Sequence, residues 1–294
     1  MTKENLNRLI TKQSRETSDS AGLQLKVLED RDALSISETV GCEVHDVYLE
    51  AMNLGIYPYR YIRNRGIISF EEQRQLAKSR VAVVGAGGLG GQVILLLGRM
   101  GIGSIVVIDR DVFDETNLNR QALCGEAALG KPKSNEAASV LGSINPGVKV
   151  TPYMVKMNPS NAEEMLKGSD VVVDALDNVP DRFVLEKIAK GLKIPLVHGA
   201  LAGFEGQLMT IFPDDPGLID LYGTQRKGER NPKSPEAVLG VPAVTAAFIA
   251  NLQAMEVIKI LLSRGRVFRN RMVHVDLESG QWDEFVFQGP SGTE

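Results

Sequence analysis

Cysteine is scarce in this sequence: Cys42 and Cys124 are its only thiols among 294 residues. Two cysteines cannot build a disulfide framework, and they cannot supply the four thiolates of a common structural zinc site. We therefore expect no structural zinc, and a fold that is stabilised by its hydrophobic core.

A large excess of charge of one sign is also lacking. The 33 lysine and arginine residues nearly balance the 37 aspartate and glutamate residues, which gives a formal net charge of −4. Proteins that coat nucleic acids or bind anionic membrane surfaces are usually strongly basic. The balance therefore predicts neither a nucleic-acid partner nor a membrane partner.

Long apolar runs are missing as well. No uninterrupted run reaches the about 18 residues of a membrane span, and the N-terminal stretch MTKENLNRLITKQSRETSDS has no signal-peptide core. The hydrophobic fraction of 43% and the charged fraction of 24% are close to those of globular proteins, which excludes a disordered chain. We expect a cytoplasmic protein.

Two regions are expected along the chain: an N-terminal arm with a helix over residues 1–55, and one continuous domain over residues 56–294. In the arm, Ser35 and Glu38 have the spacing of a capping box, in which two side chains satisfy backbone amides at a helix start. Apolar residues recur at helical intervals from there to Leu54. This pattern predicts one helix.

In the larger region, five apolar segments alternate with helical patterns. The segments are RVAVVGAG, SIVVIDRD, KVTPYMV, DVVVDAL and IPLVHGA. Apolar strands separated by helices are typical of α/β proteins, so we predict a Rossmann-like, doubly wound, mostly parallel sheet. GQLMTIF and a terminal hairpin, RMVHVDLES with QWDEFVFQ, are predicted to continue this sheet as antiparallel C-terminal strands.

Three segments outside this alternation carry further predictions. Ser69 and Glu72 form a second capping-box pair, which predicts a short helix before the first strand. Residues 213–237 are too long for a simple connection, so we expect a functional or mobile loop there. The segment PAVTAAFIANLQAMEVIKILLSRG is apolar almost all round and predicts a buried helix.

A glycine-rich turn follows the first strand. Gly85, Gly87 and Gly90 form the pattern G-x-G-x-x-G between a strand and a helix, where glycine lets backbone amides approach a phosphate. Asp109 ends the second strand, where a carboxylate can accept hydrogen bonds from ribose hydroxyls. The turn predicts a nucleotide site but does not decide between NAD and ATP.

Cations near the strand ends favour ATP. Asn117, Arg120, Lys131 and Lys133 follow the second strand, and Asp177 follows the fourth. A triphosphate needs more cations than a dinucleotide, and Mg²⁺ favours one or two carboxylates plus phosphate oxygens. Each residue also has an ordinary interpretation: a surface arginine, a solvated lysine pair, and an aspartate that caps a helix.

Taken together, these motifs resemble a known family. The ordered set RYIRN, GAGGLGG, DRDVFDETNLNRQ, GKPKS, DALDN, GALAGFEGQ and LQAMEVIKILL is similar to that of the ThiF/MoeB/HesA adenylyltransferases, which are relatives of ubiquitin-activating enzymes. The resemblance covers about residues 58–288. It implies a homodimer that uses ATP and Mg²⁺ to adenylate the C-terminal glycine carboxylate of a small ubiquitin-like sulfur-carrier protein, with release of pyrophosphate.

The resemblance also implies roles for individual residues. It places Gly85, Gly87 and Gly90 around the nucleotide and Asp109 on its ribose. It implies that Asn117, Arg120 and Lys133 contact the phosphates and that Asp177 holds Mg²⁺. It also implies that Arg63 enters the ATP site of the neighbouring protomer.

The sequence departs from the family in its cysteines. Family members commonly carry two C-x-x-C pairs for zinc, and many have a cysteine in the long crossover loop that binds the carrier covalently. Here residues 213–237 contain no cysteine, and Cys124 is the only one near the expected site. We expect a reaction without an enzyme thioester.

Other functions stay open at this stage. Related ATP-dependent enzymes activate another acceptor, such as a peptide or a tRNA-borne group, and the missing cysteines are compatible with that. The glycine turn alone is also compatible with an NAD-dependent oxidoreductase, which the cations oppose. A non-catalytic scaffold is opposed by the complete set of motif residues.

Overall fold

The computed structural model describes residues 3–223 and 238–287. Its first part is a small layer of helices and strands that comes before the main sheet. The elements are α1 (Lys3–Gln13), β1 (Arg15–Ser18), β2 (Gln24–Leu28), α2 (Asp30–Val40), α3 (Val44–Asn53) and β3 (Tyr57–Pro58). β2 pairs antiparallel with β1 and parallel with β3, so this three-stranded sheet includes residues beyond the expected arm. The sequence did not predict the hairpin.

The prediction of one helix from Ser35 to Leu54 is wrong, because the chain forms two helices there. Gly41 ends α2 with a left-handed φ of 74°, and its N–H donates to Ser37 O at 2.8 Å. Ser35 therefore lies inside α2, which begins after Glu29. The S-x-x-E spacing also occurs inside helices, where it caps nothing.

One sheet of eight strands organises the rest of the chain. Its order is β11-β10-β9-β8-β7-β4-β5-β6. The strands are β4 (Arg80–Val84), β5 (Ser104–Ile108), β6 (Lys149–Tyr153), β7 (Val171–Asp174), β8 (Leu196–Ala202), β9 (Glu205–Ile211), β10 (Arg271–Asp276) and β11 (Gln281–Val286). β4 to β8 pair in parallel, and β9 to β11 continue the sheet antiparallel. The predicted fold class is confirmed.

Helices cover both faces of this sheet. They are α4 (Phe70–Lys78), α5 (Gly88–Met100), α6 (Lys133–Ile144), α7 (Ala162–Leu166), α8 (Val179–Gly191), α9 (Leu218–Tyr222) and α10 (Ala243–Leu261). Along β4, Val81 and Val83 pack into the cluster with α5, α6 and α10, whereas Ala82 and Val84 pack into the cluster with α7, α8 and α9. This alternation is that of a strand buried on both faces, as the apolar runs predict.

The predicted capping box at Ser69 is confirmed. Its hydroxyl accepts the N–H of Glu72 at 3.2 Å, and the Glu72 carboxylate accepts the N–H of Ser69 at 2.7 Å. The predicted long loop begins as expected but contains α9. Residues 224–237, the rest of that loop, lie outside the described residues.

The helix α10 has the length and composition of a membrane span. It has 19 residues with a mean hydropathy of 1.5, and 56% of its most apolar window is buried in the protein. It packs against α5, β8 and β9. Inside it, the fully buried Glu256 accepts hydrogen bonds from Thr210 Oγ1 at 2.6 Å and Phe268 N at 2.7 Å. These contacts are those of a core helix, as predicted.

The strand order reverses at β4, which lies between β5 and β7. In doubly wound sheets, ligands bind at this point, outside the carboxyl ends of the strands. The loops that follow β4, β5 and β7 carry the predicted glycine turn, the cations and the acid. The fold thus brings segments from distant parts of the chain to one edge.

Candidate active site

A cavity of about 600 Å³ opens at the carboxyl ends of β4, β5 and β7. All predicted site residues except Gly90 and Arg63 line it. The lining members of that set are Gly85, Gly87, Asp109, Asn117, Arg120, Lys133 and Asp177. The structure therefore gathers in one cavity residues that are spread over more than ninety positions of the chain.

The three glycines of the motif have different surroundings. Gly85 has a φ of 96°, and a Cβ there would lie 2.5 Å from Ala175 O. At Gly87 the nearest atom to such a Cβ is 3.8 Å away, on Gln121, so this glycine faces open space in the cavity. A Cβ on Gly90 would lie 1.8 Å from Gly85 O. Gly90 lets α5 pack closely against the turn, and the expectation that it helps to surround the nucleotide stays a prediction.

Asp109 joins the glycine turn to the end of β5. Its two carboxylate oxygens accept N–H groups from Ala86 and Asp111, each at 2.7 Å. Burial raises the pKa of Asp109, although both amide bonds favour the charged form. Each oxygen keeps a further lone pair for a hydroxyl donor, which is what a ribose offers.

Asn117 ends a short 3-10 turn, Glu115–Asn117, that Asp114 caps, and Arg120 lies in the turn that follows. The Asn117 carbonyl oxygen accepts the N–H of Asp114 at 3.1 Å, and Asn117 is buried. Arg120 is half-buried, and its Nη1 donates to Thr116 O and to Asn119 Oδ1, the latter at 3.1 Å. Local hydrogen bonds thus hold both side chains at the cavity wall.

The two lysines of the GKPKS segment separate in the structure. Lys131 is exposed and pairs with Glu136 at 3.6 Å, as a solvated surface lysine would. Lys133 begins α6, is buried, and lines the cavity with its Nζ 3.6 Å from Asp111 Oδ2. Since a buried lysine needs a nearby negative group, its position favours an anionic ligand in the cavity.

Asp177 is exposed on the loop between β7 and α8. The cap of α8 is its neighbour Asn178, whose Oδ1 accepts the N–H of Asp181 at 2.9 Å. Asn178 also donates to Asp177 Oδ1 at 3.2 Å. The interpretation of Asp177 as a helix cap is therefore wrong, and its carboxylate faces the cavity.

A metal site built from protein side chains alone is not present in the described part of the chain. No group of three or more His, Cys, Asp or Glu side chains there could hold a metal ion. Mg²⁺ fits the site on other grounds, because it takes few carboxylates and completes its shell with phosphate oxygens and water. Asp177 lines the cavity together with Asp109, Asp111 and Asp181, and its role as the metal ligand stays a prediction.

Arg63 lies outside the cavity of its own chain. It is exposed on a short 3-10 helix, Tyr59–Asn64, whose other residues are fixed. Arg60 Nε donates to Asp30 Oδ1 at 3.0 Å, and Tyr61 accepts from Asn145 Nδ2 at 2.8 Å. Within residues 3–223 and 238–287, no hydrogen bond or ion pair involves the Arg63 side chain.

Sequence reasoning missed two buried polar residues that line the cavity, Gln121 and Arg182. Gln121 directly follows Arg120, and Arg182 lies five positions after Asp177 in DALDNVPDR. His198, on β8, is a fully buried, hydrogen-bonded side chain.

Comparisons with known proteins agree with this site. The ThiF family pattern matches residues 61–291. The "SAMP-activating enzyme E1" of Haloferax volcanii is 38% identical over 235 residues, which are 78% of this chain and 83% of that protein. The "Sulfur carrier protein adenylyltransferase" of Thermus thermophilus is 36% identical over 211 residues, covering 70% of this chain and 78% of the relative.

Other relatives are longer than this chain. "Adenylyltransferase and sulfurtransferase MOCS3" of Arabidopsis thaliana is 36% identical over 289 residues, or 92% of this chain, but only 62% of that protein is covered. Among solved structures, Escherichia coli MccB in complex with N-formylated MccA superposes with a TM-score of 0.69 at 19% identity, covering 79% of this chain and 73% of that one. That likeness is one of fold. From the matched pattern and these identities, the chain belongs to the ThiF family.

Proposed function

We propose that this protein uses ATP to adenylate the C-terminal glycine carboxylate of a small ubiquitin-like sulfur-carrier protein. The observation that carries the proposal is one cavity that combines an open glycine turn, a carboxylate for ribose, two cations and an exposed acid. The names of the Haloferax and Thermus relatives support it. Only the adenylylating activity is proposed, because the chain covers about half to two thirds of the relatives named as sulfurtransferases.

The reaction needs charge stabilisation more than covalent chemistry. A carboxylate oxygen of the carrier attacks the α-phosphorus of ATP, the bond from that phosphorus to its bridging oxygen breaks, and pyrophosphate leaves with the electron pair. Negative charge grows on the leaving group, where preorganised cations are most effective. Arg120 and Lys133 are the cations that supply this stabilisation, and Asn117 lies beside them on the same wall.

Mg²⁺ would neutralise phosphate charge when bound, with Asp177 as its protein ligand. The other residues act on the nucleotide directly. Asp109 accepts the ribose hydroxyls, and the amides of the turn at Gly85 and Gly87, together with the N-terminus of α5, face the phosphates. This division gives each lining residue a task that matches its charge and position.

The proposal extends to a homodimer in which Arg63 completes the neighbouring site. Its support is that Arg63 projects from a fixed helix yet lies outside its own cavity. Mixing Arg63→Ala protein with Arg120→Ala protein tests this, because mixed dimers contain one site with both arginines intact. Partial recovery of activity is expected, and a mixture no more active than the separate variants would contradict it.

No enzyme thioester is proposed. Burial raises the pKa of the Cys124 thiol and that of the Cys42 thiol, so both are poor nucleophiles at neutral pH. Residues 213–237 contain no cysteine. A Cys42→Ser, Cys124→Ser double variant should keep carrier activation, and a reductant-sensitive enzyme–carrier adduct that is lost in it would overturn this point.

The function is tested by pyrophosphate exchange into ATP. We expect exchange with Mg²⁺ and a carrier ending in Gly-Gly, and none with the same carrier lacking its last glycine. In parallel, calorimetry measures the binding of ATP and of NAD to the protein. Exchange driven by a tRNA or an unrelated peptide would show that the acceptor is not the proposed carrier. Binding of NAD without binding of ATP would refute the proposal.

A further inference from the structure

A buried polar network lies directly behind the loop that carries Asp177. Asp174 ends β7 and His198 lies on β8, and both are fully buried. His198 Nδ1 is 2.7 Å from Asp174 Oδ2, and His198 Nε2 is 3.1 Å from the hydroxyl of Tyr222, the last residue of α9. The network thus joins two strands of the sheet to a helix that follows much later in the chain.

The hydrogen bonds of this network fix the direction of each proton. The Tyr222 oxygen receives N–H groups from Gln207 Nε2 at 2.8 Å and Arg182 Nη1 at 2.9 Å, which occupy its two lone pairs. Its own proton therefore points to His198 Nε2, which must be unprotonated. His198 then carries its proton on Nδ1 and donates it to Asp174. Each donor has an acceptor in this arrangement.

The network ends on the backbone of the residue before Asp177. Arg182 Nη2 donates to Leu176 O at 2.6 Å, and Leu176 N donates to Asp174 Oδ1 at 3.0 Å. Both backbone polar groups of Leu176 are therefore held by network members. Arg182 is only 3% exposed and also lines the cavity, so the same guanidinium contacts the network and the site.

We propose that Arg182, oriented by Tyr222, is a positioning residue that sets the place of the Asp177 carboxylate relative to the bound metal and phosphates. This inference rests on the proposed function. It makes Tyr222 important for metal-dependent binding of ATP even though its hydroxyl bonds only to other side chains.

Three variants test the proposal. Tyr222→Phe removes one hydroxyl and keeps the ring, which packs against Phe183 and His198. Arg182→Lys keeps the positive charge, but an ammonium cannot reproduce a planar fork that bonds Tyr222 and Leu176 together. Tyr153→Phe is the matched control, since Tyr153 ends β6, at the far edge of the same sheet, and its hydroxyl makes no hydrogen bond among the described residues.

The measurement is the ratio of the ATP dissociation constants without and with Mg²⁺, obtained by calorimetry with no acceptor present. We expect Tyr222→Phe to reduce this ratio by about tenfold, the usual size of coupling within one hydrogen-bonded network. The control should keep the wild-type ratio. The double variant Tyr222→Phe, Arg182→Lys should match Arg182→Lys alone, because both changes act through the same guanidinium.

A wild-type ratio in Tyr222→Phe, even with a lowered melting temperature, would overturn the inference and leave the network a purely structural feature. Tyr222→Phe carries this test alone if Arg182→Lys does not fold. Adenylation of an unexpected acceptor would refute the proposed carrier and leave this inference standing. Failure of the wild-type protein to bind ATP would overturn both.

Discussion

The two walls of the cavity are held in place in different ways. On the phosphate wall, Asn117 and Arg120 bond to residues within four positions of themselves, so a short motif contains its own scaffold. On the metal wall, Asp174 and Arg182 bond to the backbone of Leu176, and they in turn bond to His198 and Tyr222, which are far along the chain. The phosphate wall is therefore held by residues close to one another in the sequence. The metal wall forms only once the sheet and α9 have assembled.

This difference predicts how mutations in each wall affect activity and stability. Changes on the phosphate wall should lower activity and leave folding intact, because little besides the ligand depends on those side chains. Changes on the metal wall should couple activity to stability. The predictions below test this contrast from the largest expected effect to the smallest.

The largest effect is expected from Arg120→Ala and Asp177→Asn. Each should lower carrier-dependent pyrophosphate exchange by on the order of 100-fold, because both residues stabilise charge that develops in the reaction. Thermal melting should show that each variant folds. Lys131→Ala is the control, since Lys131 is exposed and pairs with Glu136. Near-normal turnover in both variants would remove them from the site.

A second effect separates two glycines of one motif. In Gly90→Ala the new methyl group would collide with Gly85 O, so we expect a loss of at least about 2 kcal/mol in the free energy of unfolding. Gly87→Ala places its methyl in open space and should stay within about 1 kcal/mol of wild type while weakening ATP binding. Urea unfolding measures the first quantity and calorimetry the second. Equal stability of the two variants would contradict the division of roles.

The smallest effect is a pH dependence of stability from His198. Burial lowers the pKa of His198, so the folded protein keeps the ring neutral while the unfolded chain takes up a proton as the pH falls below about 6.5. Stability should therefore fall below that pH and level off once the pH passes the folded pKa. Asp174, Arg182, Glu186 and Tyr222 surround the ring, and Asp174 favours the charged form without offsetting burial.

The measurement for His198 is the melting temperature between pH 7 and pH 5. One proton per unfolding corresponds to a slope of about 2 °C per pH unit in a chain of this size. His198→Gln should reduce the slope. Burial also lowers the pKa of His45, so a slope remains in His198→Gln. An unchanged slope in His198→Gln would show that the ring does not titrate as described.

The same contrast explains what the sequence could and could not predict. The strands and the capping box at Ser69 depend on neighbouring residues and were predicted correctly. The residues predicted for the phosphate wall line the cavity. The break at Gly41 was missed because apolar spacing continues across it. The hairpin formed by Arg15–Ser18 and Gln24–Leu28 was missed because its outer strand is polar and exposed.

The sequence could not predict the roles of Arg182, Tyr222 and His198. Their roles follow from contacts between β7, β8, α8 and α9, and no spacing along the chain reports those contacts. Asp177 could be proposed from its motif, but what fixes its position could not. The motif therefore predicted Asp177 at the site, whereas only the fold reveals the hydrogen-bonded network behind its loop.

The most direct test of the whole account is the fate of labelled ATP. The protein is incubated with Mg²⁺, a carrier ending in Gly-Gly, and ATP labelled on either the α- or the γ-phosphate. The account predicts that the α label appears on the carrier and the γ label in pyrophosphate, and that Arg120→Ala slows both by on the order of 100-fold. Transfer of the γ label to the carrier, or no label on it from either nucleotide, would contradict adenylation.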